Sequence, residues 1–412
     1  MYILIFSMLL SPEIMVGTTE GASLGRGVTV RLEDFLLVVI GFSWFAKTAV
    51  HKELGLVLKT PLNKPILFYM LACIISTGFG IMAGRVSPTT GFFFVVKYFE
   101  YMIVFFMIVN HVANLKQANR FLICLLLTGF VVSIIGMLQI PGGGRVSAPF
   151  EGEVGEPNTM GGYLVFIGAI TAGLFSKVEK LLSKQLLAVL IVAIIPPLLF
   201  TQSRASYLAF IPACLVLGLM SEKRVIIVGL MLLFLALSPL LLPSTVKERI
   251  SFTFTQREHP GQQVTVGDVR LDTSTSARLR SWQDALRDWT KHPVFGYGVT
   301  GYRFLDAQFP RVLVETGVIG LTAFIYLLYS IFKLAIINLK ELKTPYLQGL
   351  TIGFLAGLTG LLFHALGANT FIIVRIMEPF WFMVGIITVL PQLEKAEVSS
   401  PEPAKRVSFS SF

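Results

Sequence analysis

The chain is a succession of long apolar runs separated by short polar turns, and this pattern limits it to a helical membrane protein. Spanning a bilayer takes about 20 apolar residues per helix, and lipid offers no partner for a free backbone N–H or C=O. The runs fall near residues 2–16, 33–50, 65–84, 91–112, 121–140, 160–176, 185–200, 206–220, 225–243, 311–337, 346–363 and 371–390. They predict an all-α polytopic membrane protein with about twelve transmembrane helices. Charged residues are 14% and hydrophobic residues 54% of the chain, against about 25% charged in soluble domains, which excludes a soluble enzyme. Met1–Val16 has neither a basic start nor a small-residue cleavage site. It reads as a short first helix and not as a cleaved signal.

Lysine and arginine in the short loops set the orientation. One set of loops holds Lys47, Lys52, Lys59 and Lys64, then Lys116 and Arg120, Lys177, Lys180 and Lys184, Lys223 and Arg224, and Lys340 and Lys343. With twelve spans all of these fall on one side, which predicts cytoplasmic termini. The expected layout is a bundle over 1–243 carrying spans one to nine, a large helical extracytoplasmic loop over 244–310, spans ten to twelve over 311–390, and a disordered cytoplasmic tail over 391–412. The net charge of +10 follows from this topology and does not signal nucleic acid. Cys73, Cys124 and Cys214 lie in apolar runs without metal or disulfide spacing, so they read as core residues and no metal or cofactor is expected.

The opposite side is almost purely arginine: Arg26, Arg31, Arg85, Arg145, Arg204, Arg249, Arg257, Arg270, Arg278, Arg280, Arg287, Arg303, Arg311 and Arg375, with only Lys247 and Lys291. Lysine suffices as a topological charge, whereas the planar guanidinium fork suits phosphate or carboxylate. A helix is expected after Ser274, Thr275 and Ser276, all good N-caps. Its apolar face collects Leu279, Trp282, Ala285, Leu286 and Trp289. Arg278 falls on the edge of that face, with Arg280 and Arg287 opposite. An inward arginine at a helix start is a phosphate ligand by residue type and by dipole; a plain interfacial helix with Arg278 snorkelling is the structural alternative.

Arg204 stands in the polar break Thr201-Gln202-Ser203-Arg204, a second anion candidate. Asp306, shortly before Pro310, reads as a helix cap or as a general base. His364 ends the eleventh run and is the other base candidate, though such a histidine is more often structural. Arg145 in the glycine-rich loop 141–145, Asn158, Gln202, Arg303 and Arg375 share the arginine side and are candidate substrate contacts. Lys97 and Glu100, one turn apart in the fourth run, are expected to neutralise each other or bundle partners. Gly296-x-Gly298-x-x-Gly301 lacks the strand that a dinucleotide loop requires and reads as a turn.

Ser276-x-Arg278-x-x-x-Trp282, then His292-Pro293-x-x-Gly296-x-Gly298, then Glu315-Thr316-Gly317-x-x-Gly320 resemble the motifs of the O-antigen ligase and O-antigen polymerase family of membrane glycosyltransferases. The resemblance is clearest over about 200–320 and implies a fold like that of the GT-C glycosyltransferases. It implies glycan transfer from an undecaprenyl-diphosphate-linked oligosaccharide to a glycan acceptor on the extracytoplasmic face, without metal or nucleotide. It also implies that Arg204 and Arg278 hold the carrier diphosphate. Other envelope polysaccharide assembly proteins are the implied partners. Lipopolysaccharide ligases carry a His-Asn pair shortly before the last motif, where this chain has Asp306-Ala307. That departure favours an exopolysaccharide or O-antigen polymerase over a ligase acting on lipid A-core, with Asp306 as the base. A lipid-linked-sugar flippase or polysaccharide transporter is the alternative from another class, but no internal repeat is visible.

Overall fold

A computed structural model describes residues 1–17, 28–50, 59–150, 155–221, 224–225, 229, 243–257, 263–266 and 269–399. Its elements are α1 (Tyr2–Leu10), β1 (Glu13–Gly17), β2 (Val28–Arg31), α2 (Leu32–Val50), α3 (Asn63–Met82), α4 (Pro88–His111), α5 (Leu115–Gln139), α6 (Pro157–Lys177), α7 (Leu181–Phe200) and α8 (Arg204–Leu219). These are followed by α9 (Ser244–Thr255), β3 (Thr265–Val266), β4 (Val269–Arg270), α10 (Thr273–Trp289), α11 (Gln308–Glu341), α12 (Pro345–His364) and α13 (Val374–Ser399). The helical class expected from the apolar runs holds. The β structure among the described residues is two short antiparallel ribbons, β1–β2 and β3–β4.

Among the described residues, 8 helices are long and apolar enough to cross a membrane: α3 to α7 and α11 to α13. Helix starts follow local chemistry. Pro88, Pro157 and Pro345 occupy first turns, where the missing N–H costs nothing. Asn114 caps α5 by accepting the Gln117 N–H at 2.9 Å. α6, α12 and α13 form the centre, with 78%, 72% and 89% of their apolar windows buried, while α7 at 33% lies at the periphery. α6 and α12 meet at Gly173 and Gly353, so close that a Cβ on Gly173 would sit 2.4 Å from the Gly353 backbone.

The expected first span over 2–16 does not form. α1 stops at Leu10, about 13 Å long at 1.5 Å per residue, and the chain turns into β1. Ser11 precedes Pro12 and is extended, at φ −87° and ψ 139°, because a residue before proline is disfavoured in the helical region. The ninth expected span, 225–243, lies largely outside the described residues, as do Arg26, Glu151, Glu153 and His259. α8 covers the eighth with a 16-residue helix. Residues 391–399, expected in the tail, are helical: α13 continues to Ser399, and Glu394 accepts the Lys343 and Thr344 backbone N–H groups at 3.1 and 2.7 Å, which pins that end to the start of α12; the rest of the expected tail lies outside the described residues. Lys97 Nζ lies 2.8 Å from both Glu100 and Asp34, the mutual neutralisation expected of it.

Candidate active site

The site is assembled where the starts of α8 and α10 meet the segment before α11. Pro196 and Pro197 lie near the end of α7, and Gln202 takes a positive φ of 49° to turn the chain back. Arg145 closes this corner, its Nε donating to Thr201 O at 3.0 Å and its NH2 to Gln202 O at 3.3 Å. Carbonyls at a helix C-terminus lack partners within the helix, and a guanidinium suits them. Ser203 then caps α8 by accepting the Ser206 N–H at 3.2 Å, which leaves Arg204 as the first helical residue.

Arg204 grips Asp272. NH1 lies 3.1 and 3.0 Å from the two carboxylate oxygens, and NH2 lies 3.0 Å from Oδ2. NH1 also donates to Thr275 Oγ1 at 2.9 Å. Asp272 is itself the N-cap of α10, accepting the Thr275 N–H at 3.3 Å. The helix therefore begins earlier than the Ser274–Ser276 cluster suggested, and the cap is an aspartate. Burial would raise the Asp272 carboxyl; hydrogen bonds from Arg204 and Thr275 outweigh it and hold the group below the usual carboxylate range.

One turn beyond Thr275 stands Arg278, so the two arginines share one face of the helix start. Arg278 NH2 donates to Asp306 Oδ2 at 3.0 Å. The two pairs differ in access: Arg204 and Asp272 are 19% and 1% exposed, Arg278 and Asp306 32% and 26%. Arg280 reaches Gln263 O instead, and Arg287 pairs with Asp284 in solvent.

The rest of α10 seats it against α11. Ala285, Leu305 and Val314 form a small core with Trp282, Trp289, Tyr297 and Tyr302 around it. Leu286, expected on this face, is 49% exposed, and the tryptophans pack around the seam instead. The Gly296–Gly301 turn is a docking element, as its lack of a strand suggested. It packs on α11 where that helix breaks at Gly317 (φ 66°, ψ −170°). Gly298 N donates to Glu315 O at 2.8 Å, and Ser76 Oγ of α3 lies 2.6 Å from Phe295 O. Arg311 and Glu315 form a buried pair at 3.1 Å; their i,i+4 spacing carried the signal.

Asp306 does not cap α11, whose N-cap is Ala307. It is fixed from the other side. Asn369 Nδ2 donates to Leu305 O at 2.8 Å, and Gln308 Oε1 accepts the Phe371 N–H at 3.0 Å. These contacts fall at Leu305 and Gln308, on either side of Asp306 along the chain, and the two amides were not among the expected site residues.

His364 is 0% exposed. Its Nε2 lies 3.3 Å from Ser206 Oγ and its Nδ1 2.7 Å from Thr370 Oγ1. Ser206 Oγ donates to Ser203 Oγ at 2.8 Å, which donates to Asn158 Oδ1 at 2.7 Å. This ordering assigns the Nε2–H tautomer to the imidazole. The chain of bonds holds the start of α8, and through it Arg204, from below. Arg303 pairs with Asp284 at 2.5 Å in solvent. Arg375 leaves the set of substrate contacts. It is 1% exposed, and its guanidinium faces the carbonyls of Leu9, Ser11, Pro149 and Phe150 at 2.6 to 3.1 Å.

Fold and site together define a polytopic membrane protein whose polar region presents two arginines, each countered by an internal carboxylate. A family model described as O-antigen ligase matches residues 186–325, which hold Arg204, Asp272, Arg278, Asp306 and Gly317. Over this stretch, about a third of the chain, the sequence is similar to that family, and the resemblance drawn from its motifs holds there. Members are glycosyltransferase-like membrane enzymes. No curated protein matches the chain.

Proposed function

We propose that the protein transfers or polymerises glycan from an undecaprenyl-diphosphate-linked donor on the extracytoplasmic face, as an exopolysaccharide or O-antigen polymerase. The observation that carries this reading is the contact of Arg204 with Thr275, one turn from Arg278, which brings the Arg204 guanidinium to the helix start that carries Arg278. Such a pair suits a diphosphate better than a single cation does. Arg278 is the accessible member. The donor diphosphate displaces Asp306 from it, and that exchange frees the Asp306 carboxylate.

The acceptor hydroxyl oxygen then attacks the anomeric carbon as the bond from that carbon to the diphosphate oxygen breaks. The bonding pair leaves with the undecaprenyl diphosphate, whose developing charge Arg204 and Arg278 stabilise. The hydroxyl proton passes to Asp306. Asn158, Gln202 and Arg145 line the corner from which Arg204 extends, while Arg303 lies farther out. In this reading His364 positions Arg204 and does not meet the acceptor.

The test is incubation of purified protein with lipid-diphosphate-linked repeat units. Chain extension supports a polymerase, transfer to lipid A-core a ligase, and flipping without bond formation a transporter. Arg278→Lys keeps the charge and loses the fork, so it is expected to lose most activity. Asp306→Asn is expected to lower turnover more than donor binding. Near-normal product from Arg278→Lys removes the diphosphate role. A fully active Asp306→Asn beside an inactive, folded His364→Ala moves the base to His364.

A further inference from the structure

α11 begins at the arginine site and ends, at Glu341, on the face that carries the loop lysines. There an open cavity of about 610 Å³ lies between the ends of α3, α4, α11 and α13. Its wall combines Lys59, Lys333 and Lys395 with Tyr326 and Tyr329, and its one carboxylate is Glu341. Lys395 is tied to Glu341 at 3.3 Å. Lys59 and Lys333 are exposed and have no ion-pair partner among the described residues. Among the described residues, the cavity therefore carries two ammonium groups without an ion-pair partner.

Its surroundings are those of a bilayer interface. Tyr326 and Tyr329 are 43% and 59% exposed, and Phe68 beside Tyr326 is 51% exposed. From Tyr326 to Glu341 the wall runs about 22 Å along α11, with Tyr326 and Tyr329 at its inner end, Lys333 about one turn beyond them, and Glu341 with its partner Lys395 at the outer end. A soluble anion has no use for the apolar length. A lipid with an anionic head uses both parts, and basic pockets between spanning helices on the cytoplasmic side are where such heads bind. We propose that this cavity is a binding site for an anionic glycerophospholipid, its phosphate held by Lys59 and Lys333. Occupancy is independent of the reaction at the arginine face, and affinity is measured without substrate.

Native mass spectrometry of the purified full-length protein, titrated with phosphatidylglycerol or phosphatidylcholine, tests this. Phosphatidylglycerol is expected to bind more tightly. Each lysine near a membrane surface contributes about fivefold in affinity, so Lys59→Ala with Lys333→Ala is expected to weaken phosphatidylglycerol roughly 30-fold. Phosphatidylcholine binding should not change, which also reports that the variant is folded. Lys59→Arg with Lys333→Arg keeps both charges and should retain the preference. Equal affinity of the wild-type protein for the two lipids overturns the proposal, as does an alanine variant that binds phosphatidylglycerol normally. Displacement of the lipid by millimolar inorganic phosphate overturns it too, since the site then takes a free anion.

Discussion

The two arginine–aspartate pairs make the same chemical contact at different depths, and double-mutant cycles should separate them. Arg204 and Asp272 share three contacts of 3.0 to 3.1 Å with the carboxylate 1% exposed. Removing one partner of a buried pair costs about 3–5 kcal/mol. Arg204 is 19% exposed and retains its bond to Thr275, which relieves part of that. A coupling of about 2–3 kcal/mol is expected. Arg278 and Asp306 share one contact of 3.0 Å and are 32% and 26% exposed. Solvent screening brings their coupling to about 0.2–1 kcal/mol. Suitable variants are Arg204→Met, Asp272→Asn, Arg278→Met and Asp306→Asn, since asparagine still accepts the Thr275 N–H at the cap. Equilibrium unfolding in mixed micelles supplies the stabilities, and donor-dependent glycan synthesis the activities. Arg278→Met should be nearly as stable as wild type and inactive. A coupling for Arg278–Asp306 as large as that for Arg204–Asp272 would refute the idea that a substrate can readily displace Asp306.

Two further outcomes follow from single residues. Asp272 has a depressed carboxyl pKa, so its stabilising contribution is complete above its unfolded value of about 3.9 and is lost as pH falls through the lower folded value. The stability gap between wild type and Asp272→Asn should therefore be constant from neutral pH to about 5 and shrink below about 4; a gap that closes by pH 6 assigns the effect to another group. Gly317→Ala should lose about 3–5 kcal/mol from strain and overpacking, because the new Cβ meets Val294 O at 2.1 Å in a left-handed residue. Gly84→Ala has a similar φ of +67° in open space and should cost only about 1 kcal/mol; equal losses in the two variants would show that the clash is relieved.

What was legible in the sequence was local. Apolar runs located α3 to α7 and α11 to α13, because length and hydropathy are properties of a segment alone. Pro12 is just as local, but apolar residues flank it on both sides, so the run over 2–16 passes through the break. The arginine bias singled out Arg204 and Arg278. It did not find Asp272, whose pairing with Arg204 bridges 68 positions and depends on how α8 and α10 approach. Nor did it separate Arg375 from the solvent arginines. The carbonyls that surround Arg375 come from Leu9, Ser11, Pro149 and Phe150, and no pattern around position 375 reveals that. Gln308 and Asn369 were missed for the same reason, since each bonds a backbone group from another segment.

The unequal burial of the two pairs has a mechanical meaning. If both arginines were loosely held, the helix start would have no fixed anchor, and binding a diphosphate would first have to order it. If both were locked like Arg204, the donor would have to break a buried pair to enter. Here Asp272 ties Arg204 to the cap of α10, and Thr275 carries that constraint to within one turn of Arg278. Asp306 is held on its own side by Asn369 and Gln308, anchored to the end of α12 and the segment leading into α13. The contact between Arg278 and Asp306 is thus an accessible joint between two anchored groups. A ligand that opens it need not disturb either anchor, and it separates a cation suited to the leaving group from a carboxylate suited to the attacking hydroxyl.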